Sequence, residues 1–240
     1  MSRPELPDGE AEPGGEPEEG GGRVAPAVVV PPRYGRYAGL LAVLILVLIT
    51  INTLRTKPTG DAGIPPGQKL PPFAVPLALS SLEGTADVAT RADQGTAGRV
   101  PACRERGGQI LNVCELYEQG PLVLALFVDS GSCKPVLGEL QALAPSFPGV
   151  RFAAVAIKPD RSGLRRLIRS QGVTLPVGID EDGRLAALYS VASCPQVSFA
   201  YPGGVVQSKA LYRPSPAALR ARISDLVAAA RARGWREPPG

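Results

Sequence analysis

Four cysteines, at positions 103, 114, 133 and 194, are the residues of this 240-residue chain best suited to covalent chemistry. Histidine is absent, which removes Ser-His-Asp and Cys-His catalysis and any histidine metal site. The cysteines also lack the paired C-x-x-C spacing of zinc or iron–sulfur sites, so no metal is expected, and exchange between thiols and disulfides needs no organic cofactor. Cys133 stands between an apolar run, Pro121–Val128, and a helix-like run beginning at Pro135. At such a junction the unpaired N–H groups of the helix start favour thiolate over thiol. Cys194-Pro195 opens a second apolar run, Gln196–Tyr201, and a proline in that place is often the cis proline of a binding groove. The pattern points to thiol chemistry.

The elements that must position these residues are legible from residue 109 onward. Ile110–Cys114 reads as a strand, and Glu118–Pro121 as a turn into the strand ending at Val128. Pro135–Ser146 reads as a helix, with Val136, Leu137, Leu140, Leu143 and Ala144 on its apolar side. Val150–Ile157 reads as a buried strand and Asp160–Gln171 as a basic helix. Leu175–Ile179 leads to the turn Asp180–Gly183 and a brief helix through Leu188. After the strand at Pro195, Pro202–Gly204 turns the chain and Val205–Tyr212 returns antiparallel. Ser215 caps a last helix that has Pro216 at its first position and Leu219, Ile223, Leu226, Val227 and Ala230 on one face. Alternating strands and helices followed by a hairpin and a closing helix give an α/β mixed sheet with helices on both faces.

Upstream, residues 1–36 hold seven acidic and four basic residues among many Gly and Pro, the composition of a disordered tail. Tyr37–Leu54 is uncharged along its whole length. At about 1.5 Å per residue it reaches roughly 27 Å, enough for a single transmembrane helix. Residues 55–72, rich in Pro and Gly, read as a linker. Residues 73–236 are then the folded domain, with no elements assigned over 73–108. Arg33 and Arg36 before the apolar run balance Arg55 and Lys57 after it, so flanking charge barely sets orientation. The even cysteine number favours an oxidising compartment. A plasma-membrane, single-pass topology with a cytoplasmic N-terminus and an extracytoplasmic domain follows. Net charge is +4, but the basic residues are scattered and aromatics are few, so no nucleic-acid partner is expected. Oligomeric state is not readable.

Three stretches resemble the thioredoxin-like redoxins, in particular the membrane-anchored group that includes alkyl hydroperoxide reductases and cytochrome-maturation thioredoxins. They are Phe127–Val136, set against a strand end followed by C-G-P-C; Asp180–Val191, similar to a D-x-x-G…Y-x-V segment; and Cys194-Pro195 through Gly203-Gly204, similar to the cis-proline strand and its turn. The resemblance covers residues 109–233. It departs at the centre, where one cysteine stands in place of two. In the favoured register Cys133 takes the first position, Pro135 matches the motif's proline and Val136 replaces the second cysteine. In the rival register Ser130 replaces the nucleophile and the site is crippled.

The resemblance implies that the residue before the cis proline faces the active-site cysteine. Cys194 could then stand in for the missing partner, with Cys133 as nucleophile, Cys194 as resolving thiol and Pro195 shaping a substrate groove. A permanent staple or two buried thiols are the plainer alternatives. The implied function is thiol–disulfide exchange with protein thiols and disulfides. A thiol peroxidase, suggested by Ser130-x-x-Cys133, and a silent partner-binding redoxin are the competing readings. Cys103 and Cys114 are expected to form a structural disulfide, with an electron-shuttle pair as the other option. Asp129, Glu139 and Lys134 could assist a thiolate or simply be solvated. Arg161, Arg165, Arg166 and Arg169 read as a solvated helix face.

Overall fold

The computed structural model describes residues 32–55, 62–84 and 100–237. The chain divides into two compact units, Met1–Lys57 and Pro58–Gly240.

In the first unit, residues 1–31 of the expected disordered tail lie outside the described residues. The remainder of that tail is helical: α1 spans Pro32–Arg55, opened by a proline whose fixed φ suits the first helical position. The expected span 37–54 falls inside α1, where side chains are described at 37 and 39–50. Among the described residues, no helix is long and apolar enough to cross a membrane.

The second unit is built on five strands. β3 (Leu122–Phe127), β4 (Arg151–Ile157) and β5 (Val177–Asp180) run parallel; β6 (Gln196–Ala200) and β7 (Val206–Leu211) complete the sheet antiparallel, in the order β5-β4-β3-β6-β7. β3 is central and buried at every residue, which is why its sequence is an unbroken apolar run rather than an alternating one. Val123, Ala125 and Phe127 face one core with Leu137 and Leu140 of α3 (Pro135–Leu143), Leu164 of α4 (Arg161–Ser170) and Ile223 of α6 (Pro216–Ala232). Leu122, Leu124 and Leu126 face the other, with Tyr117 of α2 (Val113–Gln119), Leu185 of α5 (Arg184–Leu188) and Tyr189. The period-two alternation of a strand thus divides the apolar residues between two layers of helix.

Several expectations are corrected. The strand expected at Ile110–Cys114 ends at Asn112 as β2 (Ile110–Asn112), and Cys114 lies on α2. The cause is Asn112, whose side chain accepts the N–H groups of Cys114 at 2.8 Å and Glu115 at 3.4 Å and so starts a helix. α3 stops at Leu143 and continues as a tighter turn over Ala144–Ser146, because Pro145 has no N–H to extend the ladder. Ala74–Pro76, which had no assignment, forms β1 and pairs antiparallel with β2. The stretch read as a linker is not a free spacer in its second half: Ile64 and Leu70 are buried in the second core. Nor are Arg161 and Arg165 simply solvated. Arg165 donates to the carbonyls of Ala78 at 2.8 Å and Ser80 at 2.6 Å, and Arg161 to those of Ser80 and Leu82, fastening residues 78–82 against α4.

Asp180, at the end of β5, is fully buried and accepts the backbone N–H groups of Leu185 and Ala186. Burial pushes its carboxyl above the ordinary aspartate value of 3.8, the two N–H bonds opposing that shift only in part. Because the folded state holds this proton more tightly, the resulting stability is complete below the unfolded value and is lost as pH rises through the raised one. Asp180→Asn should therefore flatten this part of the stability profile from pH 3.8 upward. Urea midpoints of the two proteins across that range measure the difference.

Candidate functional site

The site forms where the C-terminal end of β3 meets the N-terminal end of β6. These strands pair antiparallel with Leu126 opposite Gln196, so the residues just beyond, Val128 and Cys194, are brought face to face. The Val128 N–H donates to the Cys194 sulfur at 3.2 Å. From Val128 the chain makes a short turn, Gly131–Cys133. Gly131 takes φ +50°, a left-handed conformation that glycine adopts without a Cβ clash. The Cys133 N–H closes this turn onto the Ser130 carbonyl at 3.2 Å. Lys134 caps α3 and Pro135 takes its first position, where the missing N–H costs nothing.

Cys133 and Cys194, 61 positions apart in sequence, are joined as a disulfide with Cα atoms 5.6 Å apart, inside the usual range for such a bond. Cys133 is 8% exposed and Cys194 is half-buried. Pro195, joined to Cys194 by a cis peptide, is buried beside them. Having no N–H, it ends the β6 ladder at Gln196. Val136, at the position where the resembled motif has its second cysteine, is fully buried in the core. The partner of Cys133 therefore comes from the bend leading into β6 and not from α3.

The charged neighbours are paired. Lys134 Nζ lies 3.5 Å from Asp129 Oδ1. Glu139 Oε1 accepts from Arg213 at 2.8 and 2.6 Å. Arg213 escaped the sequence reading because it lies in an irregular turn 74 residues from its partner. Together with Pro135, Gln171 and Arg220 this pair borders a cleft of about 650 Å³. Tyr212 was missed too. It is 70% exposed, and its backbone N–H donates to Ser193 Oγ at 3.4 Å, which sets it beside Cys194. A tyrosine at a strand end carries no signal that marks it as part of a site.

The second disulfide joins Cys103 to Cys114, with Cα atoms 5.4 Å apart and a sequence separation of 11. Cys114 is fully buried on α2, and the Tyr117 hydroxyl lies 3.9 Å from the Cys103 sulfur. Burial pushes the Tyr117 hydroxyl above its ordinary value. Closing a loop of this size constrains the unfolded chain, so the double variant Cys103→Ala, Cys114→Ala should lose about 3 kcal/mol of stability. Denaturant unfolding of the oxidised proteins would measure it.

No family model and no curated protein matches the chain. Among solved structures, it is similar to a protein assigned as the thiol:disulfide interchange protein DsbE of Chlorobium tepidum. That match has 15% identity and a TM-score of 0.51, over 70% of this chain and 98% of that one. A thioredoxin domain of a thiol-disulfide oxidoreductase from Bacteroides vulgatus matches with 12% identity and a TM-score of 0.51, over 68% and 99% of the two chains. The fold is thioredoxin-like. An uncharacterized conserved protein from Geobacillus kaustophilus shares this fold as well, at 16% identity and a TM-score of 0.51, over 73% of this chain and 86% of that one. At these identities the likeness is one of fold, and the chemistry has to be argued from this chain's own cysteines. In this thioredoxin-like domain the two sulfurs lie where β3, α3 and β6 converge.

Proposed function

We propose that this protein is a thiol–disulfide oxidoreductase acting on protein thiols and disulfides through the Cys133–Cys194 pair. The observation that carries the reading is the meeting of the two cysteines ahead of α3, with Pro195 alongside. A disulfide placed there can be opened by a substrate thiolate and re-formed by release of the substrate, without cofactor or metal. The N–H groups at the α3 start and the Val128 N–H both favour sulfur carrying negative charge.

The domain is carried outside the cytoplasm on a single membrane anchor formed by residues 37–54. This part of the reading is supported by the sequence, in which residues 37–54 are uncharged throughout, the side chains described covering only 37 and 39–50 of that run. Two disulfides in one domain also fit an oxidising compartment. Carbonate extraction of membranes and protease protection of the C-terminal domain test anchor and orientation respectively.

The activity is tested by mixing the oxidised full chain with a dithiol peptide. One peptide disulfide should appear for each Cys133–Cys194 pair converted to free thiols. If the peptide stays reduced and both pairs stay bonded, the site is a staple and the reading fails. Peroxide added to the reduced protein should not be consumed catalytically; consumption would favour peroxidase chemistry instead.

A further inference from the structure

We infer that Cys194, not Cys133, is the sulfur that exchanges with substrate, and that Cys133 is the internal partner that leaves and returns. The inference rests on the proposed thiol exchange and reverses the roles that the resemblance to the redoxins implies. Three observations carry it. The first is access: Cys133 is buried, at 8% exposure, whereas Cys194 packs only in part against the first core and keeps some of its surface open. The second is the surface around Cys194. Tyr212, held through Ser193, is 70% exposed, and Val128, bonded to the Cys194 sulfur, is 37% exposed. Both leave apolar surface on residues that adjoin Cys194 through Ser193 and through the Val128 N–H.

The third is the fate of the charge. When a substrate thiolate attacks Cys194 Sγ, a new S–S bond forms there, and the electron pair of the old one departs on Cys133 Sγ. Cys133 adjoins the N-terminal end of α3, where the first-turn N–H groups stabilise the thiolate left behind. A better-stabilised leaving thiolate departs faster. The second substrate thiolate then attacks the substrate sulfur of the mixed disulfide, giving an oxidised substrate and a Cys194 thiolate. That thiolate keeps the Val128 N–H as donor or takes a proton from solvent. Two electrons pass from the substrate dithiol to the cysteine pair. In reverse, the Cys194 thiolate attacks a substrate disulfide and Cys133 resolves the adduct.

Sulfite reports which sulfur is attacked, because it leaves an S-sulfonate on that cysteine and frees the other as a thiolate. The oxidised full chain is treated with sulfite, quenched in acid with N-ethylmaleimide and mapped by peptide mass spectrometry. The expected product carries sulfonate on Cys194 and maleimide on Cys133, in at least about tenfold excess over the reverse labelling. A parallel reaction with reduced glutathione should place the tripeptide on Cys194. Equal labelling, or sulfonate and glutathione on Cys133, overturns this assignment while leaving exchange at the pair intact. If neither nucleophile opens Cys133–Cys194, the exchange reading falls and this inference with it.

Discussion

Cys133→Ser is expected to accumulate a mixed disulfide between Cys194 and a substrate protein, whereas Cys194→Ser captures none. In the first variant the accessible thiol remains and its resolving partner is gone, so an adduct forms and persists. In the second the remaining thiol is the buried one. Both should lose turnover by a factor on the order of 10³ or more, the scale on which removing one member of a concerted pair acts. Each variant also loses the same cross-link between positions 61 residues apart. Lost stability therefore cannot explain a difference between them. Non-reducing electrophoresis of each variant mixed with a disulfide-bonded substrate gives the capture, and a dithiol oxidation assay gives the turnover. Capture by Cys194→Ser alone would restore Cys133 as the exchanging sulfur.

How far the sequence reaches follows from the range of each interaction. β3 and β4 are legible because strands covered on both faces need unbroken apolar runs. α6 is legible because Ser215 and Pro216 signal its start locally, and the Ser215 hydroxyl does accept the Ala218 N–H. The helix at Val113–Gln119 is misread because a short apolar run fits strand and helix alike. The deciding bond is the Asn112 side chain on the N–H two residues ahead, a capping role that asparagine does not perform everywhere. Residues 73–84 are opaque for a different reason. They are held by partners far along the chain, Arg165 among them at 85 and 87 positions' distance, and no periodicity encodes such a contact. The site shows both limits. The strand-to-helix setting of Cys133 is visible locally, but its approach to Cys194 depends on the pairing of β3 with β6, and only the likeness to a known fold suggested it.

The largest loss of stability expected from a single substitution near the site is that of Phe127→Ala. Phe127 is fully exposed to nothing but protein: its relative exposure is 0%, and it ends the central strand opposite Ala156 of β4. Truncation removes the transfer free energy of the ring and leaves a cavity that close-packed neighbours such as Val136 and Leu164 cannot fill. The cost should be about 3–5 kcal/mol, a large part of the roughly 5–15 kcal/mol by which a domain is stable. Urea unfolding of the oxidised protein measures it as a lower midpoint with unchanged slope. Phe147→Ala is the control. That ring is half-buried, with the Arg220 guanidinium 5.9 Å from its centroid, so it leaves no closed cavity and its truncation should cost clearly less. The difference bears on the site as well as on the fold. Phe127 immediately precedes Val128, whose N–H holds the Cys194 sulfur, so a loosened strand end should also slow exchange at Cys194 while the sulfurs themselves remain. Equal costs for the two substitutions would mean that the end of β3 is not the rigid support from which the cysteine turn departs.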